Sequence, residues 1–429
     1  MPDAAKIEAT IRANRLLKLP VAWDDEIIYP YYDGLSIMNV SRSVLNLLGV
    51  TTSAPLSADV WDGTPPDVDR VVLIVLDGLG YQFLHNLCAE DATVAAIVAD
   101  LTGGHGIAPL TSVAPSTTAA ALPAYWLAQP PGRSGMLGTV QFLRQPSLLA
   151  DILFFRPAEG GHPHGSLESW GVDAEQFVTL PTVANQLNAV DVPVHIMVDR
   201  ALFGSGLSKI MHRGNVNSAL HLGQSDLYLR LAGLLRDTAG QRCYISAYNP
   251  AFDSVSHAYG ADSLQAKHEA RMQLQNLHAV LRDPANGHDG RTLVMIAADH
   301  GHADAPNLLD IQRDAAYAPL TDAMRCNFGA EERLAYLYLR EGTKAAVIDF
   351  LRETLADRVA WVTREEALAA GLFGTGDLHA EISHRVGDLI AIPRMGTRLM
   401  AAPHTARMVS AHGGLSSREM MVPLLWHTI

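Results

Sequence analysis

The sequence predicts an α/β protein built on a mostly parallel sheet, with helices on both faces and a small inserted α+β subdomain. The first reason is a set of four short apolar runs that each end in a polar loop, at residues 71–76, 243–248, 292–298 and 408–411. The second is a set of helical patterns, at residues 117–127, 225–237 and 263–282. Continuous apolar runs of strand length are typical of strands buried on both faces, and their alternation with helices favours a parallel sheet.

The domain organisation is predicted to be one core interrupted by one insertion. The segment 305–400 separates the third and fourth apolar runs. It contains a predicted strand–helix–strand unit and one further strand, at residues 333–339, 344–355, 359–363 and 388–393. We expect this segment to be an inserted α+β cap, so the catalytic core comprises residues 1–304 and 401–429. Within the core, residues 1–70 carry turn signals and are predicted to form an N-terminal extension.

The composition of the 429-residue chain excludes some classes of function. Its 32 basic and 45 acidic residues give a net charge of −13, whereas nucleic-acid-binding surfaces are basic, so no nucleic-acid partner is predicted. Cys88, Cys243 and Cys326 are far apart in the chain, which excludes a disulfide framework. The N-terminus is too charged for a signal peptide and the apolar runs are too short for a membrane span. A cytoplasmic location without a membrane partner is therefore predicted.

Six residues that can bind metal ions follow the four apolar runs, and because parallel strands place their carboxyl ends at one edge, these residues can meet there. They are three carboxylates and three imidazoles: Asp77, Asp253, His257, Asp299, His300 and His412. Each residue alone has an ordinary alternative as a helix cap or a solvated turn residue. Together they form a mixed nitrogen and oxygen set that suits two Zn²⁺ ions, with Mn²⁺ or Fe as alternatives. Three histidines without the same surrounding pattern rank lower: His105, His302 and His404.

A candidate nucleophile lies in the segment 112–122, SVAPSTTAAAL. It places Ser116, Thr117 and Thr118 directly after Pro115 and before an alanine-rich helical pattern. A hydroxyl group at a helix N-terminus faces free N–H groups and the positive end of the helix dipole, which favour an alkoxide and a bound phosphate. The alternative is plain N-capping by Ser116 or Thr117.

Taken in order, these segments resemble the type I phosphodiesterase/nucleotide pyrophosphatase family of the alkaline phosphatase superfamily. The similarity is carried by VLIVLDGLG, APSTTAAAL, the Pro131–Gly135 element, NPAFDSVSHAYG, AADHG and SAHGG. It implies an alkaline-phosphatase-like core and identifies Thr118 as the nucleophile. It also implies two zinc sites, one formed by Asp77, Thr118, Asp299 and His300, and the other by Asp253, His257 and His412.

The chain departs from the family pattern in elements that contact the substrate. Residues 119–121 are three alanines where nucleotide pyrophosphatases have Phe-Pro-Asn, and Ser134 replaces a family histidine. A family asparagine that contacts the phosphate falls near Thr139, which makes Thr139 a candidate phosphate-binding residue. The metal-binding set is unchanged by these departures.

The resemblance implies hydrolysis of small phosphate esters, foremost phosphodiesters, by a two-zinc mechanism through a covalent phosphothreonine intermediate on Thr118. One alternative is a phosphomonoesterase or phosphonate hydrolase of the same superfamily. A monoesterase commonly has an extra cation for the second phosphate charge, and Arg133 and Arg144 are the candidates here. The other alternative is a catalytically silent metal-binding protein on the same fold. The oligomeric state cannot be read from the sequence.

Overall fold

The computed structural model describes residues 3–16, 21, 23–61, 63–400 and 405–429, which form two seven-stranded sheets and two short two-stranded ribbons. The strands in chain order are β1 Arg70–Leu76, β2 Ala108–Thr111, β3 Val140–Leu143, β4 Leu148–Asp151, β5 Arg156–Pro157, β6 Val194–Asp199, β7 Val216–His221, β8 Cys243–Asn249, β9 Thr292–Ala297, β10 Ala303–Asp304, β11 Asn307–Leu309, β12 Gly329–Ala330, β13 Ala335–Leu337, β14 Val359–Thr363, β15 Leu389–Pro393, β16 Thr397–Leu399, β17 Ser410–Ala411 and β18 Met421–Thr428.

Helices lie between most of these strands, and none in the described part of the chain is long and apolar enough to cross a membrane. In chain order they are α1 Ala4–Ala13, α2 Ile37–Leu47, α3 Tyr81–Glu90, α4 Ala92–Leu101, α5 Thr118–Leu127, α6 Pro131–Ser134, α7 Ser166–Ser169, α8 Val183–Asn188, α9 Gly206–Met211, α10 Gly223–Asp237, α11 Ala251–Tyr259, α12 Leu264–Arg282, α13 Ala318–Ala323, α14 Lys344–Thr354, α15 Arg364–Ala370, α16 Ile382–Arg385 and α17 Ser417–Met420.

The main sheet has the strand order β2-β18-β9-β1-β8-β6-β7. The five strands from β9 to β7 are parallel, and β18 runs antiparallel to both of its neighbours. Every residue of β1 and β9 is buried, because these central strands are covered on both faces. The predicted α/β fold with a mostly parallel sheet is confirmed.

The apolar run 408–411 was predicted to be a further strand leading into the same site, and this prediction is wrong in part. Only Ser410 and Ala411 form a strand, and it pairs antiparallel with β10 in a separate two-stranded ribbon. The main sheet instead uses β18, which follows this ribbon in the chain. A run of four apolar or small residues has the strand pattern, but its length does not determine which partner it finds.

The second sheet is antiparallel throughout, with the strand order β14-β15-β13-β12-β3-β4-β5. Four of its strands lie in the predicted cap, but β3, β4 and β5 come from residues 140–157. The junction is the pairing of Ala330 with Val140. The predicted cap bounds of 305–400 omit these three strands, because strand pairing between distant segments leaves no periodic signal in either one.

The second sheet packs apolar side chains on both faces. In β13 and its continuation, Tyr336 and Tyr338 belong to the main hydrophobic core, whereas Ala335 and Leu337 belong to a second cluster with α14. This alternation follows from the two-residue repeat of a strand. The second sheet therefore has its own hydrophobic cluster on one face and packs against the main hydrophobic core with the other.

A buried ion pair connects Arg333, between β12 and β13 of the second sheet, to Glu419 on α17. Arg333 donates to both carboxylate oxygens of Glu419, at 3.0 and 2.7 Å, and the side chains are 1% and 0% exposed. Glu419 also accepts from the Gly414 amide at 2.9 Å, and its carbonyl oxygen accepts from the Gly301 amide at 2.8 Å. Burial raises the pKa of Glu419, but the charge and hydrogen bonds of Arg333 outweigh it, so the pKa lies below its ordinary value.

Replacing Arg333 by leucine is expected to lower the free energy of unfolding by about 3–5 kcal/mol, because it leaves a buried carboxylate without its counter-charge. Urea denaturation followed by circular dichroism measures the change. The matched control is Arg352→Leu at a side chain that is 61% exposed, where a change of about 0.5 kcal/mol or less is expected.

The loss in the Arg333→Leu variant should also depend on pH. Because the native pKa of Glu419 is lowered, the ion pair stabilises the fold fully above the ordinary carboxyl pKa of about 4.3 and less as pH falls below it. A difference between variant and wild type that does not shrink as pH falls from about 4.5 to about 3 would contradict this assignment.

Candidate metal centre and active site

The site lies at the carboxyl ends of three neighbouring strands, β9, β1 and β8. In the parallel register Leu76 lies opposite Asn249, and Val75 lies opposite Ala297. The loops that follow these strands therefore leave the sheet side by side, as the sequence predicts for polar residues after parallel strands.

One group of side chains forms around Asp77, Asp299 and His300, whose ligand atoms all lie within 4.8 Å of one another. His300 Nε2 lies 3.3 Å from Asp77 Oδ1 and 3.5 Å from Asp299 Oδ2. The Thr118 hydroxyl lies 3.2 Å from the same nitrogen and 3.5 Å from Asp77 Oδ2. These four residues are the ones predicted to share an ion, and the structure brings all four together.

A second group forms around Asp253 on α11. His257, one turn later on the same helix, places Nε2 3.4 Å from Asp253 Oδ1, and His412 places Nε2 3.6 Å from the same oxygen. The rings of His300 and His412 stack with centroids 3.9 Å apart, so the two groups adjoin. The structure thus brings together all six predicted ligand residues, and their role in metal binding stays a prediction.

The first group concentrates negative charge in a buried place. Asp77 is 2% exposed and Asp299 is 0% exposed. Burial raises the pKa of Asp77 well above its usual value, and the nearby charges of Asp299 and Asp253 raise it further. Asp77 Oδ1 and Asp299 Oδ2 are buried and have no hydrogen-bond partner among the described residues. Both oxygens face His300 Nε2, so a bound cation would satisfy three atoms at once.

The hydrogen bonds of two histidines determine which nitrogen carries the proton. His257 Nδ1 lies 2.9 Å from the Ser410 carbonyl oxygen, and His300 Nδ1 lies 3.2 Å from the Gly301 carbonyl oxygen. A carbonyl oxygen can only accept, so each Nδ1 donates, and the neutral form of each imidazole keeps its lone pair on Nε2. Both lone pairs point at carboxylate oxygens. This is the arrangement of metal-binding histidines, which donate their second N–H to an oxygen acceptor.

Thr118 is the first residue of α5, as predicted. The N-capping alternative is not supported, since Thr117 makes no side-chain capping bond and the Ser116 hydroxyl donates to the Gly414 carbonyl at 2.7 Å. Thr118 is 9% exposed, and its hydroxyl lies beside Asp77 and His300.

Thr139, the predicted phosphate-binding residue, lies beside the start of α5. Its hydroxyl is 3.4 Å from the Thr117 hydroxyl, and its amide donates to Glu331 Oε1 at 2.7 Å. Glu331 also accepts a hydrogen bond from Thr117, and burial raises its pKa to about 7. A side chain at Gly413, whose φ is +104°, would overlap Glu331, because its Cβ would lie 2.5 Å from that of Glu331.

Sequence reasoning missed Glu331 and ranked His302 too low. Glu331 belongs to the cap segment and reaches the site only because β12 pairs with β3, which no local pattern signals. His302 lies 2.8 Å from Asp253 Oδ1, closer than either predicted histidine. His300, two residues earlier in the sequence Asp-His-Gly-His, is the signal that could have raised the rank of His302. Of the other rivals, His105 stacks on Trp426, and His404 lies outside the described residues.

The Asp299→Asn variant tests two effects of the Asp299 carboxylate: its repulsion of Asp77 and its binding of a cation. It removes one negative charge but keeps the Oδ1 acceptor for the amides of Gly78 and His300, which lie at 3.0 Å. In chelator the variant should unfold at the same temperature as wild type or above it. At free zinc 100 times the dissociation constant, wild type should gain about 2.7 kcal/mol and the variant clearly less.

Differential scanning fluorimetry of wild type and Asp299→Asn, in chelator and in zinc, measures both the unfolding temperature without metal and the stabilisation by zinc. Asp349→Asn, at an exposed carboxylate, is the matched control and should respond to zinc like wild type. Equal zinc stabilisation in wild type and Asp299→Asn would rule out Asp299 as a ligand.

Comparison with solved structures places the fold among known hydrolases. Murine ectonucleotide pyrophosphatase/phosphodiesterase 5 shares 13% identity, with 83% of this chain and 87% of that chain covered and a TM-score of 0.58. An inactive variant of the murine protein, in complex with AMP, has the same TM-score of 0.58 at 12% identity, with 84% and 88% of the two chains covered. Phosphonoacetate hydrolase from Sinorhizobium meliloti 1021, in complex with phosphonoformate, shares 17% identity, with 84% and 90% covered and a TM-score of 0.59.

The sequence comparisons are more specific than the structural ones. No curated protein matches the chain in sequence. The family model described as type I phosphodiesterase / nucleotide pyrophosphatase matches residues 193–415, which is just over half of the chain and includes Asp253, His257, Asp299, His300 and His412. The chain belongs to the type I phosphodiesterase/nucleotide pyrophosphatase family of phosphoric ester hydrolases.

Proposed function

We propose that this enzyme hydrolyses small phosphodiesters with two zinc ions, through a covalent phosphothreonine intermediate on Thr118. The observation that carries the proposal is the position of the Thr118 hydroxyl at the start of α5, 3.2 Å from His300 Nε2 and 3.5 Å from Asp77 Oδ2. The helix N-terminus favours negative charge on this hydroxyl oxygen. A cation bound by the neighbouring carboxylates would favour it too, and together they would activate the hydroxyl as a nucleophile.

The donor set suits zinc, with manganese or iron as alternatives, because it mixes imidazole nitrogens with carboxylate oxygens. Asp77, Asp299, His300 and Thr118 would hold one ion. Asp253, His257 and His412 would hold the other. When bound, the ions provide positive charge that lowers the pKa of the Thr118 hydroxyl and offsets charge on the phosphoryl oxygens.

The reaction proceeds in two displacements at phosphorus. Thr118 Oγ1 attacks phosphorus in line, and the bond from phosphorus to the leaving oxygen breaks as the threonine ester forms. Water then attacks the same phosphorus atom and restores the threonine hydroxyl. The first N–H groups of α5 have no partner within the helix, so they can bind the non-bridging oxygens in both steps, beside the Thr139 hydroxyl.

Two observations favour a diester over a monoester, which carries a second negative charge. The first is Glu331, a carboxylate that bonds to both Thr117 and Thr139 beside the nucleophile. The second is the position of the two candidate cations. Arg144 is paired with Glu381 at 2.8 Å, and Arg133 is exposed near Arg42, so neither bonds to the site within the described contacts.

The alternative substrate is a phosphonate, because the fold is similar to that of phosphonoacetate hydrolase. That similarity concerns the fold alone. A silent protein is disfavoured, because the six ligand residues and the hydroxyl all converge in one buried place. The cytoplasmic location that the sequence predicts stays a prediction.

Thr118→Ala is expected to lower turnover by about three orders of magnitude or more, because the nucleophilic oxygen is lost. Both metal ions should stay bound, because Asp77, Asp299 and His300 would still hold the ion that Thr118 contacts. The measurements are release of p-nitrophenol from a bis(p-nitrophenyl) phosphodiester and metal content by mass spectrometry. Thr118→Ser keeps a hydroxyl and is the matched control, which should retain part of the activity and give a trapped phosphoserine. Near-wild-type turnover in Thr118→Ala would disprove the nucleophile assignment.

Wild-type enzyme should hydrolyse the diester faster than p-nitrophenyl phosphate, and the preference should grow as pH rises through about 7, where Glu331 ionises. Glu331→Gln should raise the monoester rate relative to the diester rate at pH 8 by at least about fivefold, because two unit charges about 4 Å apart repel by about 1 kcal/mol even in water. The two rates, followed from pH 6 to pH 9 in both proteins, give the result. A monoester preference in wild type would move the enzyme to the phosphatase class.

A further inference from the structure

His302 lies inside the second metal-binding group, although the roles assigned so far do not use it. It is 4% exposed, and its Nε2 lies 2.8 Å from Asp253 Oδ1. Its ring is 4.7 Å from that of His257 and 5.2 Å from that of His412. Ligand atoms of Asp253, His300, His302 and His412 all lie within 4.8 Å of one another.

The short ribbon of β10 and β17 explains why His302 reaches this place. Ala303 and Ala411 are paired in the antiparallel register, so His302 and His412, the residues just outside the pair, lie next to each other at one end of the ribbon. Two histidines that are 110 positions apart in the chain are thereby presented to the same carboxylate.

The hydrogen bonds of Ser410 determine the proton position on His302. The Ser410 hydroxyl donates its only hydrogen to the Ser256 carbonyl oxygen at 2.7 Å. His302 Nδ1, 3.0 Å from the same hydroxyl oxygen, must therefore be the donor in that contact. A neutral His302 then carries its lone pair on Nε2, which faces Asp253 Oδ1, another acceptor. A cation between the two atoms satisfies both of them.

Ser410 accepts a hydrogen bond from Nδ1 of both His302 and His257. Its carbonyl oxygen accepts from His257 Nδ1 at 2.9 Å, and its hydroxyl oxygen accepts from His302 Nδ1. Both imidazoles consequently direct Nε2 at the same carboxylate oxygen, at 3.4 and 2.8 Å. One residue thus orients two rings in the way that an oxygen acceptor behind a metal-binding histidine does.

The space for the ring is provided by Gly78, the residue after Asp77. A Cβ atom there would lie 2.8 Å from Cδ2 and 2.9 Å from Nε2 of His302, and the φ of +76° disfavours any side chain. The ring is thus held between Gly78 on one side and Asp253 on the other, which fixes Nε2 at the metal-binding group.

We propose that Nε2 of His302 is a fourth protein ligand of the ion held by Asp253, His257 and His412. The inference rests on the proposed function in that it takes this metal site as given. Four protein ligands would fill a tetrahedral zinc shell, as in structural sites, and zinc can still expand to five ligands during a reaction. Both ions would then have four protein ligands, but one of the four at Asp77 is the neutral hydroxyl of Thr118, a weaker donor than the imidazole of His302. The ion at Asp253 would therefore be held more tightly than the ion at Asp77.

The first test is the order in which the ions leave. Wild-type protein with two zinc ions, dialysed against increasing concentrations of a chelator, should lose one ion well before the other. His302→Ala should weaken the tighter site by at least about tenfold, so that the two ions leave together. Metal content is measured by mass spectrometry, and the fold of each variant is checked by circular dichroism.

The second test separates a ligand from a hydrogen-bond donor. Glutamine at position 302 keeps an N–H group for Asp253 but lacks the imidazole lone pair. In protein reconstituted with cobalt, His302→Gln should change the visible absorption of the tighter site, since its ligand set loses an imidazole. His278→Gln is the matched control, because His278 bonds to a carboxylate, Asp100, at 2.7 Å outside the site. It should leave metal affinity and spectrum unchanged.

The outcomes are distinct. Wild-type affinity and spectrum in His302→Gln would show that His302 only donates to Asp253, and would overturn the proposal while the two-metal site stands. A wild-type protein that binds no transition metal would overturn the proposed function itself. Loss of the tighter site in both His302 variants, with the fold and the His278→Gln control unchanged, would support the assignment.

Discussion

Two buried carboxylates, Asp77 and Asp299, face each other at the ends of adjacent strands, and the rest of the site is arranged around their repulsion. The surrounding donors relieve it only in part. Asp299 Oδ1 accepts from two amides, and Asp77 Oδ2 accepts from the Tyr248 hydroxyl. One oxygen of each carboxylate still lacks a partner among the described residues. Because an unpaired buried charge is costly, a cation there would relieve the repulsion, and Thr118, the proposed nucleophile, lies beside that position.

The cap contributes to the same place through one short segment. Arg333 anchors the segment by its buried ion pair with Glu419, and Glu419 in turn binds the backbone of the loops that carry His300 and His412. Glu331, two residues before Arg333, is thereby brought to the Thr117 and Thr139 side of the nucleophile. The same short segment therefore affects both the stability of the interface, through Arg333, and the charge at the proposed substrate site, through Glu331. Changing the two residues one at a time separates these effects.

Much of the site could be predicted because its residues have local signals. A buried strand is recognisable by its continuous apolar run, and the residues after parallel strands meet at one edge, so Asp77, Asp253 and Asp299 could be assigned together. His412 lies beside the other predicted ligand residues, although the run before it forms a separate ribbon with β10 and not the predicted further strand. Glu331 could not be assigned to the site, because its position depends on a pairing between segments far apart in the chain, and such pairings have no local period.

By itself the sequence determined the class of fold, the order of the strands that carry the ligands, and the residue types that suit zinc. These follow from short-range physics: side-chain periodicity, strand burial and the chemistry of carboxylates and imidazoles. Only the tertiary structure decided that β3, β4 and β5 belong to the second sheet and that Glu331 reaches Thr117 and Thr139, beside Thr118. It also decided that Ser410 orients both His257 and His302. Each of these depends on long-range contacts, whose formation is governed by the packing of the whole chain rather than by any one segment.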